Sequence, residues 1–421
     1  MHSRREFFKT TLTGSTLIAL APTVPAFLAR TARAAQLDRD GRILVVIQLD
    51  GGNDGINTVV PYADPGYAKH RKVLRLQTRQ LIKVNDQVGL HPSLGGAGKL
   101  LKSGQLAIVQ GVGYPNPNRS HFESMAIWHS ARFDPEERND QGWLGRALDE
   151  DRKLALGVPA SVFVGSGQLP VALRGRRSIA SALTRPEDFV LAPEAKAKAA
   201  AASAEKLDDL TAFVQRSALD AYTTADRMAE VARGSDSASR YPATELASEF
   251  RLMARLIKAS VGTRVFYARQ SGYDTHAGQL GQHAALLSDL SGALKAFFDD
   301  LTAAKLADRV TVLTFSEFGR TVKENGSAGT DHGTAGPVFI AGPQVKPGLV
   351  GSAPRLLELD PKYGDLKMGI DFRSVYATVL EDWLALPAHT ALAGKFDKVP
   401  LFKQSPALLL GSCRVPLFEL S

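Results

Sequence analysis

Short apolar runs recur along the chain, at residues 43–49, 106–111, 161–164, 263–268, 310–315 and 338–341. Most are continuous rather than alternating, which is the pattern of strands covered on both faces. Helical patterns lie between them. In residues 282–306, Leu286, Leu287, Leu290, Leu294, Phe297, Phe298 and Leu301 return at helical spacing. Residues 371–386 repeat the pattern, and Pro387 closes it. Buried strands alternating with helices predict an α/β three-layer sandwich around a mostly parallel central sheet. One stretch departs from this alternation. Residues 193–206 are rich in Ala, Lys and Glu, and a helical pattern continues to about Val231. A polar turn follows at 234–239, then a second helical pattern over 243–261. Residues 175–260 therefore read as a helical insert on one domain spanning 35–421.

The first 34 residues belong to a different category. Arg4 and Arg5 stand before a short apolar stretch broken by Pro22 and Pro25, and Ala32-Arg33-Ala34 offers a small-residue cleavage site. This predicts a twin-arginine export signal, a passage through the twin-arginine translocase and a periplasmic or secreted destination. The apolar stretch is too short and too interrupted for a stable membrane span. The signal holds five Lys/Arg and one Glu, so half of the excess positive charge of the chain, +8 overall, is expected to leave with it. A mildly basic surface without aromatic–basic interleaving predicts no nucleic-acid partner. The single cysteine, Cys413, excludes an intrachain disulfide despite the oxidising destination.

In open α/β sheets, ligands sit beyond the carboxyl ends of the strands. The polar residues expected there are Asp50, Ser120 and His121, Asp274 and His276, Glu317 and Arg320, and Asp331 and His332. Carboxylates and imidazoles gathered at one edge suit a divalent cation, Zn²⁺ or Mn²⁺ before Mg²⁺ or Ca²⁺, as one ion or two. Each piece also has a plainer explanation. Asp50-Gly51-Gly52 can be a turn, Ser120-x-x-Glu123 a capping box, Glu317 and Arg320 a local ion pair, and Asp331 a loop cap. His91 and His283 read as structural or solvated.

Five blocks carry a family resemblance: "LDGGNDGINTVVPY", "NRSHFESMAIW", "GYDTHAGQ", "TFSEFGRTVKENGSAGTDHGTAGPVFIAGP" and "DFRSVYATVLEDWL". They resemble the exported family called domain of unknown function 1501, and in their order the alkaline phosphatase and sulfatase superfamily. The resemblance implies metal ligands at Asp50, Asp274, His276, Glu317 and His332, with Asp331 beside them, and a nucleophile at Ser120. It implies a small anionic ester as substrate. His121, Asn53, Arg119 and Arg320 would then grip its oxygens. This chain departs at Glu317-Phe318, where the superfamily has Asp-His, and Phe318 cannot ligate.

Two functions follow as expectations. One is metal-dependent hydrolysis of phosphate or sulfate esters, with Ser120 and His121 in catalysis. The other is non-catalytic binding of a metal or a partner on a degenerate hydrolase scaffold. A nucleotide loop at Gly51–Gly55 ranks below both, because no lysine follows at phosphate-loop spacing.

Overall fold

The computed structural model describes residues 41–152, 154, 158–183 and 239–403. The expected export signal and residues 184–238 of the expected insert lie outside the described residues. Among the described residues, nine strands form the central sheet: β1 (Ile43–Asp50), β2 (Leu106–Gly113), β3 (Ser161–Val164), β4 (Ala180–Leu183), β5 (Val265–Ser271), β6 (Val310–Phe315), β7 (Gly336–Ala341), β8 (Gly348–Val350) and β9 (Ile370–Asp371). Their order is β8-β2-β7-β6-β1-β5-β3-β4, with β9 also paired to β2. Every pairing is parallel except those of β7, which runs against β2 and β6.

The continuous apolar runs are explained by two cores. Ile43, Val45, Ile47 and Leu49 of β1 point to one face, and Leu44 and Val46 to the other. Helices α1 (Gly95–Lys102), α4 (Glu245–Lys258) and α5 (Gln279–Ala303) cover the first face. Helices α2 (His121–Ser130), α3 (Trp143–Asp149) and α6 (Phe372–Thr378) cover the second. Since strand side chains alternate, a strand with helices on both faces has no polar side to display.

The sequence reading and the structure differ at three strands. Residues 180–183 join the sheet as its edge strand, β4, instead of beginning a helical insert. The described helix of that region, α4, is one of the covering layers, with Phe250, Met253 and Ile257 in the core. Strands β8 and β9 are only three and two residues long and carry no hydrophobic period to detect. Among the described residues no helix is long and apolar enough to cross a membrane.

Candidate metal centre

Strands β1, β2, β5 and β6 end on the same edge of the sheet, and the antiparallel β7 starts there. The chain segments converging on that edge pack closely because Asp50 is followed by two glycines. Gly51 and Gly52 have φ of +118° and +82°. A Cβ on Gly51 would lie 2.4 Å from the Asp274 amide nitrogen, and one on Gly52 would lie 2.6 Å from the Phe318 ring. Only glycine permits both the backbone angles and the approach. The Gly51 N–H donates to Glu317 Oε1 at 2.9 Å, and the Asp50 carbonyl accepts from Tyr273 N at 3.1 Å.

Three histidines from different segments meet over the Asp274 carboxylate. His121 begins α2, His276 lies in the loop after β5, and His332 lies in the loop before β7. Each has its Nδ1 against an oxygen acceptor. His121 Nδ1 is 2.8 Å from Glu317 Oε1, His276 Nδ1 is 3.0 Å from Asp331 Oδ1, and His332 Nδ1 is 2.8 Å from the Arg119 carbonyl. Carboxylates and carbonyls accept, so these partners assign the proton of each neutral ring to Nδ1. The three Nε2 atoms are left as acceptors, and all face Asp274. His276 Nε2 and His332 Nε2 stand 3.0 and 3.1 Å from Asp274 Oδ1 and 3.0 Å from one another. His121 Nε2 is 3.5 Å from Asp274 Oδ2, is buried and has no hydrogen-bond partner. The ligand atoms of His121, Asp274 and His332 fall within 4.8 Å of one another.

The three Nε2 acceptors converge on a carboxylate whose Oδ1 takes one donor, Arg320 Nη1, while the imidazole nitrogens themselves meet no donor in these contacts and suit a cation. The donor separations near 3 Å are close to the edge of a tetrahedron with roughly 2.0–2.1 Å metal–ligand bonds. A ring nitrogen braced by a carboxylate or carbonyl behind it is the usual support of a metal-ligating histidine. The residues present therefore fit a divalent ion.

Several expected roles are redistributed by this geometry. Glu317 and Asp331 were expected as ligands, but their carboxylates face the far nitrogens of His121 and His276. His121 was expected in catalysis, yet it stands among the converging nitrogens. Asp50 accepts from Gln48 Nε2 at 3.1 Å and Ser271 Oγ at 3.5 Å, not from an imidazole. Phe318 stacks on His332 at 4.8 Å between centroids and lies 5.0 Å from His121, so it walls the imidazoles instead of binding an ion.

The residues expected to grip an anion also differ among themselves. Asn53 is buried, with its amide oxygen held by Thr58 Oγ1 and His283 Nε2, both at 2.9 Å. Arg320 is buried too, and its Nη1 donates to Asp274 Oδ1 at 2.8 Å and to the Gly51 carbonyl at 3.2 Å. Arg119 is partly exposed, donating to the Tyr363 carbonyl at 3.0 Å with Asp365 at 3.6 Å. Ser120 is the N-cap residue of α2, but its side chain makes no capping hydrogen bond. The capping box is absent: the Ser120 N–H donates to Asn118 Oδ1 at 2.8 Å, and Glu123 is paired with Arg138 at 2.8 Å.

Charge follows the same contacts. The hydrogen bond to Glu317 raises the His121 pKa against the opposing effect of burial. Burial pushes Asp274 upward, but the Arg320 guanidinium works against it, and the carboxyl is held below its ordinary range. Asp331 is lowered likewise, by Asn325 and His276 against burial. His283 and His91 are buried, and burial depresses each to about 4, so neither is solvated. Sequence reasoning missed the supports beneath the rim: Asp54 with Arg71, then Gln279 and Thr330. Asp54 sits in the same glycine turn as Asp50, which was the available signal. Nothing in the sequence pairs it with Arg71.

Solved structures with a similar fold include the lipoteichoic acid synthase LtaP of Listeria monocytogenes, 10% identical, with 79% of this chain and 75% of that chain covered and a TM-score of 0.36. A sulfatase from Pseudoalteromonas sp. is 10% identical over 89% of this chain and 77% of that chain, with a TM-score of 0.37. A phosphonate monoester hydrolase from Silicibacter pomeroyi is 9% identical over 84% and 75%, with a TM-score of 0.33. Likeness at this level carries no function from one chain to another. None of the curated proteins compared with the sequence matches it. The profile of the family described as a protein of unknown function, DUF1501, matches residues 42–390, and the chain belongs to that family.

Proposed function

We propose that this protein is an exported metal-dependent hydrolase of a small anionic ester, with a divalent ion held by His121, His276, His332 and Asp274. The observation that carries the reading is the meeting of three imidazole Nε2 atoms over one carboxylate, with each Nδ1 engaged elsewhere. Protons alone fill such a site poorly. The His121 and His276 rings lie 4.3 and 4.8 Å from the His332 ring, and imidazolium charges that close repel. One divalent ion would satisfy His121, Asp274 and His332, whose ligand atoms lie within 4.8 Å of one another, with His276 Nε2 beside them at 3.0 Å from His332 Nε2. Three imidazoles and a carboxylate favour Zn²⁺ or Mn²⁺ over Mg²⁺ or Ca²⁺. Such an ion, when bound, supplies Lewis acidity to an ester oxygen and lowers the pKa of a nearby hydroxyl.

In this reading the residues of the chain have separate tasks. Glu317 and Asp331 orient His121 and His276 by accepting from their Nδ1 atoms. Arg320 fixes the Asp274 carboxylate. Phe318 excludes water from one side of the imidazoles. Ser120, exposed and without a capping bond, is the nucleophile, and Arg119 is the remaining candidate for contact with the anionic group. Asp50 lies on the same edge as a further carboxylate for a second ion. Export through the twin-arginine translocase to the periplasm is supported by Arg4, Arg5 and the small-residue site that follows.

Non-catalytic metal binding is the second reading, and the inward placement of Asn53 and Arg320 favours it. Metal content per chain tests what the two share: wild type is expected to retain Zn²⁺ or Mn²⁺ through gel filtration, and His332→Ala to lose it. A wild type that takes up neither ion while folded overturns both. Aryl phosphate and aryl sulfate hydrolysis by the loaded protein, compared with Ser120→Ala, then separates them.

A further inference from the structure

Beneath the candidate metal centre runs a chain of buried polar groups whose donors and acceptors point one way. Arg71 and Asp54 form a two-point ion pair, Nη1 to Oδ2 at 2.5 Å and Nη2 to Oδ1 at 2.9 Å. Asp54 Oδ2 also accepts from Gln279 Nε2. That contact decides the orientation of the Gln279 amide. With its nitrogen on a carboxylate, its oxygen must accept, and it does so from Thr275 Oγ1 at 3.0 Å and Thr330 Oγ1 at 2.6 Å. Thr330 has then used its one hydroxyl proton, so its oxygen accepts in its other contact, from Arg320 Nε at 3.2 Å. The same guanidinium continues through Nη1 to Asp274 Oδ1 at 2.8 Å.

All of these links from Arg71 to Arg320 are buried, with Asp54, Arg71, Gln279 and Thr330 at 0% exposure. Water therefore does not compete for the contacts, and a reversed amide would set a donor against two hydroxyls and an acceptor against a carboxylate. The far end of the chain is the oxygen that faces His276 Nε2 and His332 Nε2. One lone pair of Asp274 Oδ1 is held by Arg320, which leaves the other on the side of the imidazoles.

We propose that Gln279 and Thr330 are positioning residues for the Asp274 carboxylate: the polarity set by the Asp54–Arg71 pair passes through them to Arg320 and fixes the ligand oxygen of the metal centre. The proposal rests on the metal-binding reading above. Neither residue touches the ion or the substrate.

The test is a Co²⁺ titration of the full chain, followed by visible absorption and by calorimetry. The variants are Thr330→Val, Thr330→Ser, Gln279→Glu and His332→Ala. Thr330→Val keeps the shape and removes the hydroxyl. It is expected to weaken Co²⁺ binding about tenfold or more, the usual effect of losing an outer support of a ligand, and to shift the visible band. Thr330→Ser restores the hydroxyl and is expected to keep the wild-type affinity and band, which a general packing role would not require. Gln279→Glu, similar in shape but without the amide donor to Asp54, is expected to weaken binding in the same direction and serves if Thr330→Val does not fold. Wild-type affinity and band in folded Thr330→Val or Gln279→Glu overturn the proposal while the metal reading stands. No Co²⁺ uptake by wild type, or uptake unchanged in His332→Ala, overturns the metal reading and the proposal with it.

Discussion

The rim cluster and the buried cluster beneath it are made of the same residue types in opposite states. Below, Asp54 is matched to Arg71 at two points, and His283 Nε2 lies 2.9 Å from Asn53 Oδ1 and 3.3 Å from Thr58 Oγ1. Donors meet acceptors, and burial keeps His283 neutral by depressing its pKa to about 4. At the rim, the Nε2 atoms of His121, His276 and His332 meet a carboxylate with every Nδ1 already engaged. The imidazole nitrogens meet another acceptor, and the donor that reaches it, Arg320 Nη1, serves the carboxylate and not the rings. Residue type alone does not separate scaffold from site; the separation lies in whether the hydrogen bonds close among themselves. The closed set holds the fold, and the open set is the one a cation would complete.

The largest expected effect comes from opening the closed set. Asp54→Ala leaves the guanidinium of Arg71 buried without its counter-charge and is expected to cost about 3–5 kcal/mol in urea unfolding of the metal-free protein. His332→Ala removes a residue of the open set, and the metal-free protein is expected to lose less than about 1 kcal/mol. Its loss appears only with metal present. At Zn²⁺ about a hundredfold above the dissociation constant, wild type should gain about 2.7 kcal/mol and His332→Ala none of it. Equal losses in the two metal-free variants would break the contrast between the clusters.

Acid sharpens the same contrast. Burial pushes the Asp54 pKa up, but the charge and hydrogen bonds of Arg71 outweigh it and bring it from 3.8 to about 2. A carboxyl with a depressed folded pKa stabilises fully above its unfolded value, and that contribution fades as pH falls from about 4 towards 2. The span corresponds to about 2 kcal/mol. Unfolding free energy measured across that window should fall steeply in wild type and less in Asp54→Asn. An identical slope in the two would show that Asp54 is not the group that couples the fold to acid.

The two clusters were also unequally legible. The buried strands announced themselves as continuous apolar runs, and the placement of Asp50, Asp274, His276 and Glu317 on one sheet edge follows from their positions at or after strand ends, whereas His332 reaches it because the strand it precedes runs antiparallel. Element topology is carried by hydrophobic period, which one sequence displays. Partner choice is not. Whether Glu317 faces an ion or His121 Nδ1 depends on ångström-scale packing of three loops, and Gly51 N and Ser316 Oγ hold it in place at 2.9 and 3.0 Å. Arg71 had no visible purpose, because its partners Asp54, Val322 and Thr321 come from a glycine turn and from a loop some 250 positions away. Ser120 was misleading in the other direction. Ser-x-x-Glu spelled a capping box, but Asn118 Oδ1 accepts from the Ser120 N–H and Glu123 pairs with Arg138.

Ser120 provides the smallest expected change in stability and the closest test of where the open cluster ends. Its backbone has the extended angles of an N-cap, φ −85° and ψ 128°, yet its hydroxyl makes no capping bond. A working cap replaced by alanine costs about 1 kcal/mol. Here the loss is expected to stay under about 0.5 kcal/mol by thermal unfolding, with Zn²⁺ affinity unchanged, because Ser120 holds neither helix nor ion. Ester hydrolysis is the quantity that should move. A nucleophile removed from a working site lowers turnover by roughly a thousandfold or more. A stability loss near 1 kcal/mol with turnover intact would return Ser120 to the scaffold and make the rim a metal site without its own nucleophile. Full stability with turnover abolished extends the open set from the three imidazoles to the N-cap residue of α2, and makes its uncapped hydroxyl part of the chemistry.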